Sequence, residues 1–313
     1  MIQNPKPLVS VCCISFNQAP YIRQCLEGII MQKTTFPFEI ILNDDASADG
    51  TAEIIKEYQR RFPELLKPLF HSENQYSKGI RTILATFCYP RCQGKYIAIC
   101  EGDDYWTDPL KLQKQVDFME AHPAYSMCFH KVEIKNELDL NPDDLLCCKI
   151  EDRDYSATEL FERWIVQTAS TLFRKEVIQY KISGENRVAV GDQILVLRSA
   201  QLGKIRGMSD CMSVYRVHSQ GVTYNRELHL KIVMGYPEHY ECIKENFDVL
   251  PWDVLRPELI NSYISRMRSG RFFSPQWFAD ARMVFKYLTI HDAFHRLYNY
   301  CRKKIKMTNK CFT

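Results

Sequence analysis

The sequence contains no G-x-G-x-x-G segment and no Walker-type glycine loop. The two commonest backbone cradles for phosphate are therefore missing, which argues against an ordinary dinucleotide-dependent enzyme. No apolar run in the chain reaches the roughly 18 residues that a membrane-spanning helix needs. The 13 cysteines include no C-x-x-C pair, which removes the usual support for a structural zinc site. The opening segment, MIQNPKPLVS, has no signal-peptide core, so a reducing, cytoplasmic setting is expected. Several thiols sit inside apolar runs, Cys12 and Cys13 in LVSVCCIS and Cys100 in YIAIC. A thiol there behaves as a small hydrophobe. A strong charge is also lacking: a formal net charge of +3 does not by itself imply a nucleic-acid partner.

The 313 residues, 46% of them hydrophobic, suit one large domain with an appendage. Residues 8–14, LVSVCCI, are a continuous apolar run, the pattern of a strand buried on both faces of a parallel sheet. Ser15-Phe16-Asn17-Gln18 breaks the run, and Pro20 opens a helix. In that helix Ile22, Cys25, Leu26, Ile29 and Ile30 share one face. A second strand, 38–42, ends in the polar turn Asn43 to Gly50, and a helix over 51–61 stops before Pro63. Residues 66–70 read as a third strand and 80–90 as a helix stopping at Pro90. A fourth strand, 95–100, runs into Glu101-Gly102-Asp103-Asp104-Tyr105-Trp106. Thr107 is expected to cap the next helix, whose apolar stripe is Leu112, Val116 and Met119.

Such alternation implies βαβ units and a mostly parallel central sheet flanked by helices. Ligands of such sheets bind beyond the carboxyl ends of the strands. Here two strands end in clusters of carboxylates. Residues 135–157 read as a variable loop or small hairpin, and from 226 onward only packed helices are expected. The chain thus divides into a catalytic domain over 1–225 and a helical extension over 226–313 with a basic tail.

Carboxylates just past a buried strand can hold a divalent cation through hard oxygen ligands, and Glu101-Gly102-Asp103-Asp104 has that form. Mg2+ or Mn2+ suits such a donor set, and the ion can stabilise a departing diphosphate. Gly102 lets the backbone approach a ligand closely. Asn43-Asp44-Asp45-Ala46-Ser47 can accept hydrogen bonds from a base N–H or ribose hydroxyls. The plain reading of either cluster is a solvated turn that caps the next helix, through Ser47 or Asp49 in the second case.

The segments Val9–Asn17, Glu39–Thr51 and Gly94–Trp106, in this order and spacing, resemble family 2 glycosyltransferases of the GT-A fold. The resemblance covers residues 8–225 and implies a Rossmann-like sheet and an inverting transfer from a nucleoside-diphosphate sugar, with UDP the default nucleotide. It implies that Ser15, Asn17, Asp44 and Asp45 hold the nucleoside; Arg81 is a separate candidate to approach the nucleotide. Glu101 and Asp103 would meet the ribose and donor, and Asp103 and Asp104 the metal. Two positions depart from the family pattern: Ile14 stands where proline is usual, and Glu101 where Asp is commoner.

Asp192, in Gly191-Asp192-Gln193, resembles the family's catalytic base at the start of a helix, whose dipole favours the ionised form. Its plain reading is a helix cap. Val214–Gly221 resembles the family's Tyr-Arg-x-His segment, so His218 is expected at the metal or diphosphate, with Arg216 or Tyr215 beside the same charge. Ser170 and Thr171 are candidates to line a sugar pocket. Trp106 is either a sugar-stacking ring or a core residue.

From Arg296 to Lys310 the tail carries Arg296, Arg302, Lys303, Lys304, Lys306 and Lys310, interleaved with Phe294, Leu297, Tyr298 and Tyr300. Such a stretch can rest on anionic lipid at the cytoplasmic membrane face, or simply be solvated. A carbohydrate or lipid-linked acceptor, as in cell-surface polysaccharide or glycolipid synthesis, fits the resemblance. The rival class is a non-catalytic nucleotide-sugar-binding protein on the same fold, against which Asp192 argues. Nucleic acid is not expected, because acids occupy the cleft.

Overall fold

A computed structural model describes residues 6–140, 149–221 and 225–289. The run read as doubly buried is β1 (Val9–Ser15), whose residues from Val9 to Cys13 have no exposure. It is followed by α1 (Ile22–Ile30), which buries Ile22, Cys25, Leu26 and Ile29 against the sheet. Next come β2 (Phe38–Asp44) and α2 (Thr51–Arg61). Gly50 starts α2 at φ 100°, a left-handed conformation that costs a side-chain-bearing residue more than glycine. The strand β3 (Leu66–Phe70) closes this part.

The helix expected over 80–90 is not regular. A wide π-type turn, Leu84–Cys88, passes into a tight turn, Tyr89–Arg91, with Pro90 inside it. Pro90 has no N–H to donate and its ring would crowd the carbonyl four residues back, which disfavours a regular α-helix through this stretch.

The chain continues through β4 (Tyr96–Ile99), β5 (Tyr105–Trp106), α3 (Lys111–Ala121) and β6 (Tyr125–Asn136). Thr107 does not cap α3. Its N–H bonds to the Met212 carbonyl, Leu110 holds the cap position, and Asp108 accepts the Leu110 N–H. Then follow β7 (Asp154–Tyr155), α4 (Ala157–Arg163), β8 (Leu172–Arg174), α5 (Glu176–Gln179), α6 (Gly191–Leu202) and β9 (Lys204–Val217).

The sheet runs β3-β2-β1-β4-β8-β6-β9-β5, with β7 also on β9. The first four strands are parallel, as the alternation implied. The whole sheet is mixed, which corrects the mostly parallel expectation. β8 runs antiparallel to both β4 and β6, while β6 and β9 are parallel and β5 opposes β9. The physical reason lies in the connection. The chain comes to β8 through the Thr168–Ser170 turn at the carboxyl end of β4, not through a helix crossing back, so β8 can only run downward. Because β9 is parallel to β6 and hence to β4, its own carboxyl end returns to the same rim.

Four helices follow: α7 (Arg226–Met234), α8 (Tyr236–Asn246), α9 (Trp252–Ser269) and α10 (Pro275–Tyr287). Tyr240, Ile243, Leu255 and Leu259 share one apolar core with Phe161 of α4 and Ile194 and Leu197 of α6. A buried pair, Arg266 with Asp280, links α9 to α10, and Glu238 adds a second carboxylate from α8. The described cysteines are free, and all but Cys211 are buried. Among the described residues no helix is long and apolar enough to cross a membrane. The basic stretch from Arg296 to Lys310 lies outside the described residues.

Candidate active site

The parallel register sets Ser15 opposite Asp44, at the ends of β1 and β2. The Ser15 hydroxyl donates to Asp44 Oδ1 over 3.1 Å. Asp44 also accepts the Ser47 hydroxyl at 2.6 Å and the Ser47 N–H at 3.2 Å. Asn17, at φ 51°, accepts the Ala48 N–H at 2.9 Å, and its own N–H donates to the Ser47 hydroxyl. Asp45 takes the N–H groups of Gln75 and Tyr76 at 2.7 and 3.0 Å, fastening the loop after β3. Arg81 lies over the Tyr76 ring and bonds its hydroxyl at 3.1 Å. Ser15, Asn17, Asp44 and Asp45 are thus one hydrogen-bonded group, with Arg81 joined through Tyr76.

The acidic turn hangs from the end of β1, because Gly102 N–H donates to the Ile14 carbonyl at 2.9 Å. A Cβ at Gly102 would sit 2.3 Å from Gln18 Oε1, so only glycine fits without displacing that side chain. Asp103 Oδ2 is 3.0 Å from His218 Nε2, just beyond β9. The Tyr21 ring packs against His218 with centroids 4.7 Å apart. Asp104 is only 1% exposed. Its Oδ1 accepts the Arg216 N–H at 2.9 Å, and its Oδ2 has no partner among the described residues. Burial, and then the charges of Asp103 and Glu101, push the Asp104 carboxyl well above the usual range.

Burial raises Glu101 to about 8, with the charges of Asp103 and Asp192 adding to it and the Thr168 hydroxyl opposing it. Asp192 stands in the first turn of α6, where burial raises it to about 6 and the Gln193 N–H, 3.0 Å from Oδ1, pulls the other way. Both side chains keep some solvent access, yet loss of hydration is the largest influence on each.

Other residues singled out in the sequence have structural duties. Ser170 and Thr171 are buried, and their hydroxyls donate to the carbonyls of Gln167 and Thr168 at 2.6 and 2.8 Å. They shape the turn, while their neighbour Thr168 meets Glu101. Trp106 is a core residue whose Nε1 donates to the Ala169 carbonyl, and Lys111 Nζ lies 4.0 Å from its ring centroid. The Arg216 guanidinium is taken by Glu137 at 3.0 Å and by Gln24.

Sequence reasoning did not single out Tyr21, Gln24, Glu137, Thr168 or His239. None lies in a motif, and each arrives from an element distant in the chain. Among the described residues no group of three or more His, Cys, Asp or Glu side chains is close enough to hold a metal ion. Asp103 and His218 form a pair.

A half-parallel sheet with acidic turns gathered at its rim defines an α/β fold of the GT-A type. The sequence profile described as glycosyl transferase family 2 matches residues 10–181, and the chain belongs to that family. An uncharacterized protein of Mycobacterium tuberculosis, Rv1520, is 38% identical over 218 residues, 69% of this chain and 61% of that protein. The match therefore spans less than two thirds of that relative's length. A putative teichuronic acid biosynthesis glycosyltransferase of Bacillus subtilis, TuaG, is 26% identical over 71% of this chain and 84% of its own. Among solved structures, the mannosyltransferase PcManGT from Pyrobaculum calidifontis, in complex with GDP-Man and Mn2+, has a TM-score of 0.58 at 18% identity, covering 95% of this chain and 80% of that one. S. aureus TarS 1–349 in complex with UDP-GlcNAc has a TM-score of 0.53 at 16% identity, covering 83% and 81%. These two share the fold.

Proposed function

We propose that the protein is a metal-dependent inverting glycosyltransferase that moves a sugar from a nucleoside-diphosphate sugar, by default a UDP-sugar, to an acceptor hydroxyl. The observation that carries this reading is the 3.0 Å contact between Asp103 of the acidic turn and His218 just beyond β9, in a chain of glycosyl transferase family 2. It joins the two motifs that we assign to the donor diphosphate, and Asp192, in the first turn of α6, is the base we assign to the acceptor.

Asp192 takes the proton of the acceptor hydroxyl as that oxygen attacks the anomeric carbon. Its position in the first turn of α6 favours the ionised form, while its partial burial keeps it basic enough to accept a proton near neutrality. Ser15, Asn17, Asp44 and Asp45 hold the nucleoside, and Arg81 approaches the nucleotide from the loop that Asp45 fastens. Residues 1–225 carry this chemistry, and the helical extension buttresses α6.

The acidic turn is the place we propose for a divalent cation, whose binding would have to draw the ligands together, since the described residues form no preassembled group of three. Asp104 Oδ2 is a buried oxygen with no partner among the described residues, and several carboxylates crowd together with a histidine rather than a lysine or arginine side chain at Asp103. Carboxylate oxygens suit Mn2+ or Mg2+, and an imidazole in the set favours Mn2+ of the two. Asp103, Asp104 and His218 would hold the ion. When bound it supplies positive charge to the diphosphate leaving group. The mannosyltransferase of the same fold, solved with GDP-Man and Mn2+, supports this reading.

The acceptor we propose is a carbohydrate or lipid-linked hydroxyl in cell-surface polysaccharide or glycolipid synthesis, which the teichuronic acid assignment of TuaG supports. The test is calorimetry with a panel of nucleotide sugars, with and without Mn2+, followed by turnover with Asp192→Asn. Donor binding that needs Mn2+, and turnover lost in the variant, are expected. Binding without turnover in the wild type, across a range of acceptors, would favour a non-catalytic binding protein.

A further inference from the structure

The turn between α9 and α10 carries aromatic rings that the protein leaves uncovered. Phe272, Phe273 and Phe278 are 64%, 62% and 57% exposed, and Phe285, two turns further along α10, is 77% exposed. The rings gather about Trp277: the centroids of Phe272, Phe273 and Phe278 lie 5.0, 5.4 and 5.3 Å from that of Trp277. Beside them a cavity of about 540 Å³ opens between the two helices, lined by Ile264, Met267, Ala281 and Val284. Scattered apolar residues on a surface need no explanation, but a contiguous aromatic patch beside an apolar cavity marks a contact site.

The rim of this patch is positive. Residues 264–288 carry Arg266, Arg268, Arg271, Arg282 and Lys286 against one acid, Asp280, and that acid is buried on Arg266. Among the described residues no carboxylate pairs with Arg268, Arg271 or Arg282. An occupant must therefore be apolar at its centre and anionic at its edge. A second copy of this chain would set one positive rim against another. The chain's own residues 290–313 hold six Lys and Arg side chains against one acid, Asp292, so they match the patch in sign. An anionic bilayer has both properties, because acyl chains accept the rings and lipid phosphates meet the guanidinium groups.

We propose that the α9–α10 hairpin docks the protein on an anionic membrane surface, with Phe272, Phe273 and Phe278 entering the lipid and Arg268, Arg271 and Arg282 on the headgroups. This goes beyond sugar transfer and does not depend on it. It also differs from lipid contact through the basic tail, which every variant below retains.

The test is co-sedimentation of the full chain with phosphatidylcholine vesicles, with and without phosphatidylglycerol. Binding only to the anionic vesicles is expected. Phe272→Ser, Phe273→Ser and Phe278→Ser combined should weaken it at least about tenfold, with thermal midpoint and UDP binding unchanged. Arg268→Gln, Arg271→Gln and Arg282→Gln combined should weaken it roughly a hundredfold, since each basic group near such a surface contributes similarly. The Trp277 emission should shift to the blue on vesicle addition, a shift lost in Trp277→Phe. Undiminished binding in the serine variant assigns it to the tail and overturns the proposal. So does equal binding to neutral vesicles. A wild type that is dimeric in ultracentrifugation, becomes monomeric in the serine variant and ignores vesicles also overturns it, by making a second copy the occupant.

Discussion

Gln193 Oε1 and His239 Nε2 lie 2.9 Å apart, which ties the first turn of α6, and so Asp192, to α8 of the helical extension. His239 has no exposure, and burial alone pushes it down to about 4, so its ring is neutral at working pH. In the tautomer that satisfies this contact, Nε2–H donates to the Gln193 amide oxygen, and Nδ1 is the nitrogen without a partner among the described residues. His239→Leu should cost about 1–3 kcal/mol by stranding the glutamine oxygen. If the bond also aims the helix start, kcat falls while donor KM holds. Denaturant melts and steady-state kinetics together check this, and an unchanged kcat would leave His239 a purely structural residue.

Asp192→Asn should lower turnover by about 10²–10⁴-fold, the usual worth of a positioned base, while leaving donor affinity near wild type. The pH profile has a definite sign. The base acts when unprotonated, and its value is about 6, so kcat/KM should fall below pH 6 and level off above it. A profile that rises toward acid would remove Asp192 from this role.

The contact between Asp103 and His218 sets up a metal test. Asp103→Asn should abolish the Mn2+-dependent part of UDP binding. His218→Ala should raise the Mn2+ needed for half-maximal binding by about 10–100-fold, comparable to loss of groups that orient metal ligands. Calorimetry at several Mn2+ concentrations reads both. Unaltered Mn2+ dependence in both variants would move the ion elsewhere.

Gly28 has a packing reason to be glycine. A Cβ there would lie 2.7 Å from the carbonyl oxygen of Trp106 and 2.8 Å from its nitrogen. Both are backbone atoms of β5, directly after the acidic turn, and cannot rotate away. Gly28→Ala should therefore destabilise by about 1–3 kcal/mol, as overpacking does. It should also reduce activity by shifting the turn. A thermal melt and an activity assay on the same sample test it.

Lys111 is fully buried and is lowered to about 7, burial being the largest cause. An unfolded lysine binds its proton up to a much higher pH. Between about pH 7 and 10 the unfolded chain then holds more protons at this site, so its contribution to stability rises with pH, by at most about 1.4 kcal/mol per unit. Below pH 7 both states are protonated and the dependence vanishes. The stability difference between wild type and Lys111→Met should shift in favour of the wild type as pH rises from 7 to 9, measured by urea midpoints, and a difference that stays flat would remove Lys111 as its source. Groups other than Lys111 are common to both proteins, so their pH dependence largely cancels in the difference.

Much of the site was legible because its motifs are local. Asp103 follows a buried strand by a few residues, and Asp44 ends another. An apolar run with acids just past it reveals both the strand and the cleft. The Thr107 cap failed because a tertiary bond to Met212 claimed its N–H, and no local pattern signals that. Ser170 and Thr171 sat in the right region with the wrong duty. Which hydroxyl of a short turn acts on the acidic turn depends on conformation, and here the Thr168 hydroxyl is the one that bears on Glu101. Tyr21 and Glu137 were invisible for the same reason: they reach His218 and Arg216 from elements remote in the chain.

By itself, the order of residues determined the four parallel strands, the two helices between the first three and the carboxylates at their ends. Apolar periodicity, turn residues and strand length are properties of neighbours along the chain. Only the tertiary structure decided that β8 runs backward, that β9 returns His218 to Asp103, and that His239 supports the turn holding Asp192. Strand direction follows from where a connection delivers the chain. Contacts between distant residues exist only once burial of the common core has drawn their elements together.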